Sequence, residues 1–521
     1  MKTRAALAAF ALALAGTAAL TPAAAAALAW GPCSDGDLAQ AGAQCAVLQV
    51  PADHTKPDGP TIGIALSRIA ATATGADYLG PLVSNPGGPG VPGLTESLDL
   101  AAQLPSAVAS RFDLIGFDPR GVGASGPKLR CDPGFFTTPA PDYVPPDPRR
   151  VTGSERQRLV AAAAYTKACH AGSGAALEHQ RTLDAAKDLD LIRAALGSPT
   201  LSYVGNSYGT YLGEVYASTF PTHVARMLLT GVVAPDGVGY TGDVSRPAVA
   251  RAYERNVDAF FAWVAAHHAV YGLGADAATV ERRYYADQAT LRKAPFHGVG
   301  PAEWTALFAI AAYGDETWAP LAQGWSAWDA GRTAPFDVVF SDHEPELADR
   351  YNSAYLSVAC SDGRWPRDYA KLRADALKNA PAAPFITWAF HWELSAMCAT
   401  WPVQNKPVTV GSATPSMLLV NATYDAPTPF SDALAARAAF PRARLIEITG
   451  GLGHGGRSFW GNDCAQAVAF RYLLSGELPA RAAGSAPDLQ CARVPGPDYP
   501  DVALAVAGEL LTTLMPLLPA G

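Results

Sequence analysis

Residues 201–217 read LSYVGNSYGTYLGEVYA, and this stretch decides the fold. Within it, Gly205-Asn206-Ser207-Tyr208-Gly209 follows the pattern G-x-S-x-G. The preceding LSYV predicts a strand, and the following YGTYLGEVYA predicts a helix. A serine between the two would occupy a strained turn at the carboxyl edge of a sheet, where flanking glycines avoid collisions. The alternative is a small-residue turn that contains a serine by chance.

Strand-like and helical patterns alternate on both sides of this stretch. The strand-like runs are 61–70, 80–85, 111–121, 223–233, 416–425 and 443–450, and the helical ones are 182–197, 430–440 and 464–476. Such alternation predicts an α/β fold with a mostly parallel sheet and helices on both faces.

One long region interrupts the alternation. Residues 236–408 are rich in tryptophan, tyrosine and alanine, and their patterns are helical, as in 251–272. We therefore predict a helical lid inserted into an α/β core. The core is expected to consist of a first part at 28–235 and a second part at 409–521.

A serine hydroxyl is a poor nucleophile unless a base takes its proton. Of the ten histidines, only His454 lies beyond the strand pattern that resumes at 416–425, and it sits in a glycine-rich loop after a strand. Asp425 ends the preceding strand pattern and could orient the imidazole. Singly, Asp425 could be a turn cap and His454 a surface residue. Together, their order and placement predict a catalytic triad with Ser207.

An oxyanion hole needs two backbone N–H donors. One is expected from Tyr208, directly after the serine, and the other from Gly88 in the loop LVSNPGGPGVPG at 82–93. The alternative for that loop is an ordinary proline- and glycine-rich turn. Asp118 and Arg120 precede Ser207, and we interpret them as structural residues.

The N-terminus predicts export. Residues 1–27 begin with Lys2 and Arg4, continue with an apolar run and end in small residues, which is typical of a secretory signal peptide. We expect a secreted, soluble protein. The C-terminal apolar stretch 501–521 contains Glu509 and Pro516, and it predicts a docked helix rather than a membrane span.

The cysteines predict disulfides rather than a metal site, and the net charge bears on the class of partner. The eight cysteines allow many disulfide connectivities, and we expect sequence neighbours to pair: Cys33 with Cys45, Cys131 with Cys169, Cys360 with Cys398, and Cys464 with Cys491. No metal-ligand spacing such as C-x-x-C is present, so no metal is expected. The net charge of −8 and the lack of a basic run disfavour nucleic acid as a partner.

Five motifs carry a family resemblance. They are NPGGPG (85–90), FDPRGVGAS (117–125), GNSYGTYLGEVYA (205–217), YDAPTP (424–429) and GHG (453–455). Together they resemble the secreted α/β-hydrolases of the tripeptidyl aminopeptidase group, relatives of the proline iminopeptidases. The resemblance spans roughly 45–495. It implies the α/β-hydrolase fold, Ser207, Asp425 and His454 as the triad, and Gly88 and Tyr208 at the oxyanion hole. VACSDG (358–363) and CATWP (398–402) are also similar to that group and support the 360–398 pairing.

The resemblance implies a peptide substrate with a free N-terminus and no cofactor. An exopeptidase must bind that amino group, and a lid carboxylate is the natural partner for it. The candidates are Glu344, Glu346 and Asp362, and further acids are Asp342, Glu393 and Glu214.

Three functions are compatible with the sequence. The first is a serine exopeptidase that releases short peptides, tripeptides by resemblance. The second is a carboxylic-ester hydrolase, because ester and peptide hydrolysis use the same triad. The third is a non-catalytic secreted binding protein on a hydrolase scaffold, against which the intact triad argues. The sequence does not specify the oligomeric state.

Overall fold

The computed structural model describes residues 28–136, 149–238, 246–296, 299–332, 345–413 and 415–496. The predicted signal peptide 1–27 and the predicted C-terminal helix at 501–521 lie outside these ranges. Asp342 and Glu344 also lie outside them.

Ten strands form a single sheet in the order β1-β2-β3-β5-β4-β6-β7-β8-β9-β10. Their bounds are β1 Gly31–Pro32, β2 Gln44–Pro51, β3 Thr61–Ile69, β4 Pro81–Asn85, β5 Asp113–Phe117, β6 Leu201–Asn206, β7 Val224–Thr230, β8 Leu418–Ala422, β9 Arg444–Thr449 and β10 Leu489–Ala492. The pairs β1–β2, β2–β3 and β3–β5 are antiparallel. All pairs from β5 through β4 to β10 are parallel, so the predicted mostly parallel sheet is confirmed.

The parallel register brings the predicted site segments to one edge of the sheet. Asn85 at the end of β4 pairs with Gly205, and Asn206 at the end of β6 pairs with Thr230 at the end of β7. Farther along, Ala422 at the end of β8 pairs with Ile448 near the end of β9. Parallel strands present their carboxyl ends together, so the loops after β4, β6, β8 and β9 meet there.

Helices cover both faces of the sheet and fill the insertion. Their bounds are α1 Gly36–Gln40, α2 Glu96–Gln103, α3 Ser106–Ala109, α4 Gly153–Ser173, α5 Thr182–Ala195, α6 Tyr208–Thr219, α7 Pro247–Ala266, α8 His268–Tyr271, α9 Ala277–Lys293, α10 Pro301–Ala309, α11 Trp318–Asp329, α12 Pro345–Ala359, α13 Tyr369–Asn379, α14 Thr387–Phe390, α15 Met397–Thr400, α16 Phe430–Ala439, α17 Gly456–Phe459 and α18 Asp463–Ser475. A π-helix spans His391–Ala396, and short 3-10 helices span Gly75–Asp77, Pro133–Phe136, Gly174–His179, Ile310–Ala312, Asp315–Thr317 and Ala380–Ala382.

The sheet has a separate apolar layer on each face. Successive strand residues alternate between the layers: Leu418 packs with the cluster that contains α2, α3 and α18, whereas Leu419 packs with the cluster that contains α5, α6 and α16. This alternation is the period-two pattern of a strand. Because both sides of each central strand are covered, β4 and β8 are buried along their whole length.

The insertion has its own core. Its buried residues form one cluster with many aromatic side chains, among them Trp304, Trp325, Phe260 and Phe308. In the described part of 236–408 the only β-pairing is an isolated bridge between Phe296 and Val299.

Helix α4 belongs to this helical core, although it lies in the segment predicted as the first part of the α/β core. Its Tyr165 hydroxyl donates to Asp349 of α12 at 2.8 Å, and its Glu155 accepts from Arg373 of α13 at 2.7 Å. The insertion therefore packs against a second helical excursion from the sheet.

Four disulfides join Cys33 to Cys45, Cys131 to Cys169, Cys360 to Cys398 and Cys464 to Cys491. These are the pairs of sequence neighbours expected above. One of them closes a loop within the insertion, and another fixes α18 to the edge strand β10.

No helix in the described ranges is both long enough and apolar enough to cross a membrane.

Candidate active site

Ser207 lies on a sharp turn between β6 and α6. Its φ of 54° is positive, and it is the only non-glycine residue with a positive φ among those the structure describes. Such a conformation costs free energy and persists only where neighbours hold it. Here the Ser207 N–H donates to Thr230 O at 3.0 Å, and Thr210 N donates to Ser207 O at 2.8 Å.

The glycines around Ser207 are required by close backbone approaches. A Cβ on Gly205 would lie 2.5 Å from Gly209 O, and a Cβ on Gly209 would lie 2.5 Å from Asn85 O. The turn is therefore a nucleophile elbow in its geometry.

Asp425 and His454 form a buried pair. The His454 Nδ1 lies 2.9 Å and 3.0 Å from the two carboxylate oxygens of Asp425. The carboxylate also accepts from Thr428 N at 2.9 Å and from Gly455 N at 3.0 Å, and its side chain is fully buried. Because a carboxylate accepts and does not donate, Nδ1 carries the imidazole proton, and Nε2 is left as a base.

The histidine loop meets the serine turn directly. Gly456 N donates to the Asn206 side-chain oxygen at 2.9 Å. A Cβ on Gly231, after β7, would lie 3.2 Å from His454 Cε1. The structure thus gathers Ser207, Asp425 and His454 at the same edge of the sheet.

The loop after β4 lies over Ser207. A Cβ on Gly87 would be 2.9 Å from Ser207 Cβ and 3.2 Å from Tyr208 N, so the Gly87 backbone touches the elbow itself. The next residue, Gly88, has a φ of 100°, and its N–H makes no hydrogen bond within the described ranges. Tyr208 N lies in the first turn of α6, where N–H groups have no acceptor in their own helix. Tyr208 therefore adjoins Ser207 directly, and Gly88 follows the glycine that touches it.

The predicted amine-binding acids occupy different environments. Glu344 is outside the described residues, and Glu346 is exposed, 3.9 Å from Arg130. Asp362 is buried, and it accepts from Thr182 N at 2.8 Å and from the Thr182 hydroxyl at 2.5 Å. Burial raises the pKa of Asp362 to about 6. The structure thus gives Asp362 a role in joining the region after α12 to the first turn of α5.

Glu214 and Glu393 are further candidates for the same role. Glu214 in α6 is fully buried, and neither carboxylate oxygen has a hydrogen-bond partner among the described residues. Burial, together with the nearby Asp432, raises its pKa well above the ordinary value. Burial thus favours the neutral form of Glu214, and a neutral carboxyl offers little attraction to an ammonium group. The Glu393 side chain lies outside the described part of the structure.

A cavity of about 340 Å³ adjoins the loop after β4 at Gly90. Its apolar lining includes Leu129 and Tyr351, and its charged lining residues are Lys128 and Arg350. No carboxylate from the described residues lines it. The cavity therefore does not provide the acid that a free amino group requires.

The insertion contacts the acid and histidine loops through residues that sequence reasoning missed. Tyr313 O accepts from His454 N at 2.7 Å, and the Tyr313 ring meets the imidazole edge-on at 5.5 Å between centroids. The buried Asn256 of α7 donates to Ala312 O at 3.1 Å and to Tyr424 O at 2.9 Å. These contacts give no sequence signal, because an asparagine on an amphipathic helix looks like any polar helix residue.

Within the described residues, no cluster of three or more His, Cys, Asp or Glu side chains could hold a metal ion.

Residues 80–452 match the profile of a family described as alpha/beta hydrolase fold. The chain belongs to the α/β-hydrolase family. This α/β hydrolase is 38% identical over 466 residues to the tripeptidyl aminopeptidase of Streptomyces coelicolor, with 85% of this chain and 83% of the relative covered. It groups with the tripeptidyl aminopeptidases and is a serine hydrolase.

Two further relatives carry different names. The α/β hydrolase is 30% identical over 488 residues to Serine protease Hip1 of Mycobacterium tuberculosis, with 87% of this chain and 90% of the relative covered. It is also 30% identical over 475 residues to Carboxylesterase B of the same species, with 85% and 86% covered.

Proposed function

We propose that this α/β hydrolase is a secreted serine exopeptidase that releases short peptides, tripeptides by similarity, from free N-termini. The observation that carries the proposal is the buried pair of His454 and Asp425, at the sheet edge where Ser207 occupies a nucleophile elbow. In this pair the His454 Nδ1 lies 2.9 Å and 3.0 Å from the two Asp425 carboxylate oxygens. Export is supported by four disulfides, which form and persist in oxidising compartments.

The chemistry would proceed in two acyl transfers. In the first, the Ser207 oxygen attacks the scissile carbonyl carbon while His454 Nε2 takes the hydroxyl proton. The negative charge that develops on the carbonyl oxygen is stabilised by the N–H groups of Gly88 and Tyr208. As the C–N bond breaks, His454 gives its proton to the leaving amine, and an acyl-enzyme on Ser207 remains.

In the second transfer, water replaces the amine. His454 removes a proton from water, the resulting hydroxide adds to the acyl carbon, and the proton returns to Ser207 as the acid leaves. Asp425 stays ionised throughout, holds the imidazole in one tautomer and stabilises the imidazolium. Acyl transfer of this kind needs no cofactor.

The names of two relatives favour peptides as the substrate class. The relative named tripeptidyl aminopeptidase is 38% identical, and a relative named serine protease is 30% identical. Glu344, Glu346 and Asp362 stay predictions for the amine-binding acid. Of the two that the structure describes, Glu346 is the more accessible to an ammonium group.

A carboxylic-ester hydrolase is the second candidate. It is favoured by the relative named Carboxylesterase B, and by a cavity beside Gly90 whose lining is largely apolar, with Lys128 and Arg350 but no carboxylate among the described residues. Both candidates use the same triad, so the substrate distinguishes them.

The test is hydrolysis of two chromogenic tripeptides that differ only in N-terminal acetylation, beside a short-chain p-nitrophenyl ester. We expect strong preference for the free tripeptide, and Ser207→Ala should abolish all turnover without changing Tm. Equal cleavage of both peptides would reject the exopeptidase. Ester cleavage alone would favour the esterase. No turnover of any substrate, with no fluorophosphonate labelling, would leave a binding protein.

A further inference from the structure

The side chain of Asn206, directly before the nucleophile, contacts two loops and the end of strand β7. Its Nδ2 donates to Pro86 O at 3.2 Å, in the loop after β4. Its Oδ1 accepts from Gly456 N at 2.9 Å, in the histidine loop, and from the Thr230 hydroxyl at 3.0 Å, at the end of β7.

These partners determine the orientation of the amide. A peptide N–H and a hydroxyl face the oxygen, and a carbonyl faces the nitrogen. With the amide reversed, an N–H would face the Gly456 N–H, and an oxygen would face the Pro86 carbonyl. One side chain therefore acts as an acceptor toward one loop and as a donor toward another, and neither role can be exchanged.

The loops approach Asn206 as closely as their backbones allow. A Cβ on Gly455 would lie 2.0 Å from Asn206 Oδ1, so any other residue there would push the histidine loop away. Gly455 has a φ of 54°, which also favours glycine. The segment next to His454 is thus shaped to rest on the Asn206 amide.

Each contacted loop carries one part of the proposed machinery. Pro86 precedes Gly87, whose backbone touches Ser207, and Gly88, the proposed oxyanion donor. Gly456 is two residues after His454. Thr230, the third partner, also accepts the Ser207 N–H through its carbonyl. A shift of the Asn206 amide would move the oxyanion loop and the histidine loop relative to the nucleophile.

We propose that Asn206 is a positioning residue that sets the distances of the oxyanion loop and the histidine loop from Ser207. The inference rests on the triad of the proposed function. Asn206 acts through the two loops and touches no reacting atom. Because catalysis requires near-attack geometry, a misplacement of about 1 Å can cost about 10²-fold in rate.

Two substitutions separate the two halves of this role. Asn206→Ala removes the donor and the acceptor, and we expect kcat to fall about 10²-fold with little change in KM. Asn206→Asp keeps the acceptor for Gly456 but loses the donor to Pro86, so oxyanion stabilisation should fall and kcat with it. Its carboxylate would also favour the imidazolium, and the acidic limb of the pH profile of kcat/KM should move to higher pH.

The matched control is Asn352→Ala, which removes another buried asparagine amide, one that donates to Ala348 O within its own helix α12. We expect it to stay within about threefold of wild type. Circular dichroism and Tm measure the folding of each variant. If Asn206→Ala does not fold, the kcat of Asn206→Asp tests the proposal. Wild-type kcat in a folded Asn206→Asp or Asn206→Ala variant, or an equal loss in Asn352→Ala, would overturn the proposal.

The rate of fluorophosphonate labelling at Ser207 keeps this test independent of the substrate. Labelling reports the nucleophile and its base, and it requires no peptide binding. If wild type is labelled but cleaves no peptide, the exopeptidase proposal fails, while slower labelling of the Asn206 variants still supports the positioning role. If all proteins are labelled at the same rate, the positioning role fails.

Discussion

The sheet and the insertion both bury large apolar cores, but they contribute to the site in different ways. In the sheet, the proposed groups follow the carboxyl ends of parallel strands, so chain order and register determine where they meet. In the insertion, the core is a cluster of aromatic rings such as Trp304 and Trp325. It reaches the site through a few polar contacts, chiefly those of Tyr313 and Asn256.

The difference shows where function is robust and where it is adjustable. Groups at strand ends are held by neighbouring strands on both sides. The insertion instead contacts the histidine loop and Tyr424, which precedes Asp425, through side-chain and main-chain contacts such as those of Tyr313, Asn256 and Arg255. Changes in the sheet edge should therefore abolish chemistry, and changes in the insertion should tune it or alter stability.

The largest effect is expected from Asp425→Asn. The change removes the carboxylate that fixes the His454 tautomer, and kcat should fall about 10⁴-fold. The matched control is Asp432→Asn, because Asp432 is also buried but contacts Arg246 instead of a histidine. Steady-state kinetics on the same substrate compare the two. A similar loss in both variants would mean that buried charge in this region, and not the imidazole pair, determines the rate.

A smaller effect, on stability alone, is expected from removing the disulfide inside the insertion. The double variant Cys360→Ala/Cys398→Ala should lose about 2–4 kcal/mol of unfolding free energy, with kcat unchanged at temperatures where it stays folded. Cys33→Ala/Cys45→Ala is the control, since that pair is separated by 12 residues rather than 38. Its loss should be smaller by about 1 kcal/mol. Chemical denaturation measures both, and equal losses would count against the loop-length argument.

Asn256→Leu tests the contact between the insertion and the acid loop. The variant loses the donors to Ala312 O and Tyr424 O. Tyr424 O keeps the donor from Arg255, whereas the unpaired Ala312 O should destabilise the fold by about 1–3 kcal/mol. We also expect kcat to fall about tenfold, because Tyr424 precedes Asp425.

The control for Asn256 is Asn352→Leu, whose amide donates only to Ala348 O within its own helix. Calorimetry and kinetics on both variants separate stability from turnover. A normal kcat in Asn256→Leu would show that the acid loop keeps its place without the Asn256 contact.

The smallest effect concerns pH and His391. Burial lowers the pKa of this insertion histidine to about 4. Because the folded protein binds this proton less readily than the unfolded chain does, the free energy of unfolding is highest above the unfolded pKa of about 6.5. It decreases as the pH falls from there toward 4, where His391 becomes protonated in the folded protein as well. Between pH 7 and pH 5 the loss should be on the order of 1–2 kcal/mol.

His391→Gln should flatten this part of the stability curve, whereas His268→Gln, at an exposed position, should leave it unchanged. Urea denaturation at several pH values provides the measurement. Parallel curves for wild type and His391→Gln would contradict the assignment to His391.

Much of the sheet could be predicted from sequence because its signal is local. Strands β3 to β9 are apolar runs bounded by turn residues, and their order placed Ser207, Asp425 and His454 at strand ends. The sequence pattern does not predict β1, β2 or β10. In β10 the sequence LQCA is short, and it becomes a strand only because it pairs with β9.

The insertion was predictable in type but not in arrangement. Its helical patterns were recognised, yet the packing of α4 against it depends on pairs such as Tyr165 and Asp349, which are 184 residues apart. Periodicity carries no information on such pairs. Asp362 is a second case of contact between residues far apart in the chain. Its motif predicts a lid acid, and only the fold shows that it accepts hydrogen bonds from Thr182.

The most direct test of the account is mass-spectrometric mapping of the protein after reaction with a fluorophosphonate. We predict a single adduct on Ser207, labelling that slows greatly in Asp425→Asn, and no adduct in Ser207→Ala. An adduct on another serine, or no adduct on the folded wild-type protein, would contradict the assignment of Ser207, Asp425 and His454 as the catalytic apparatus.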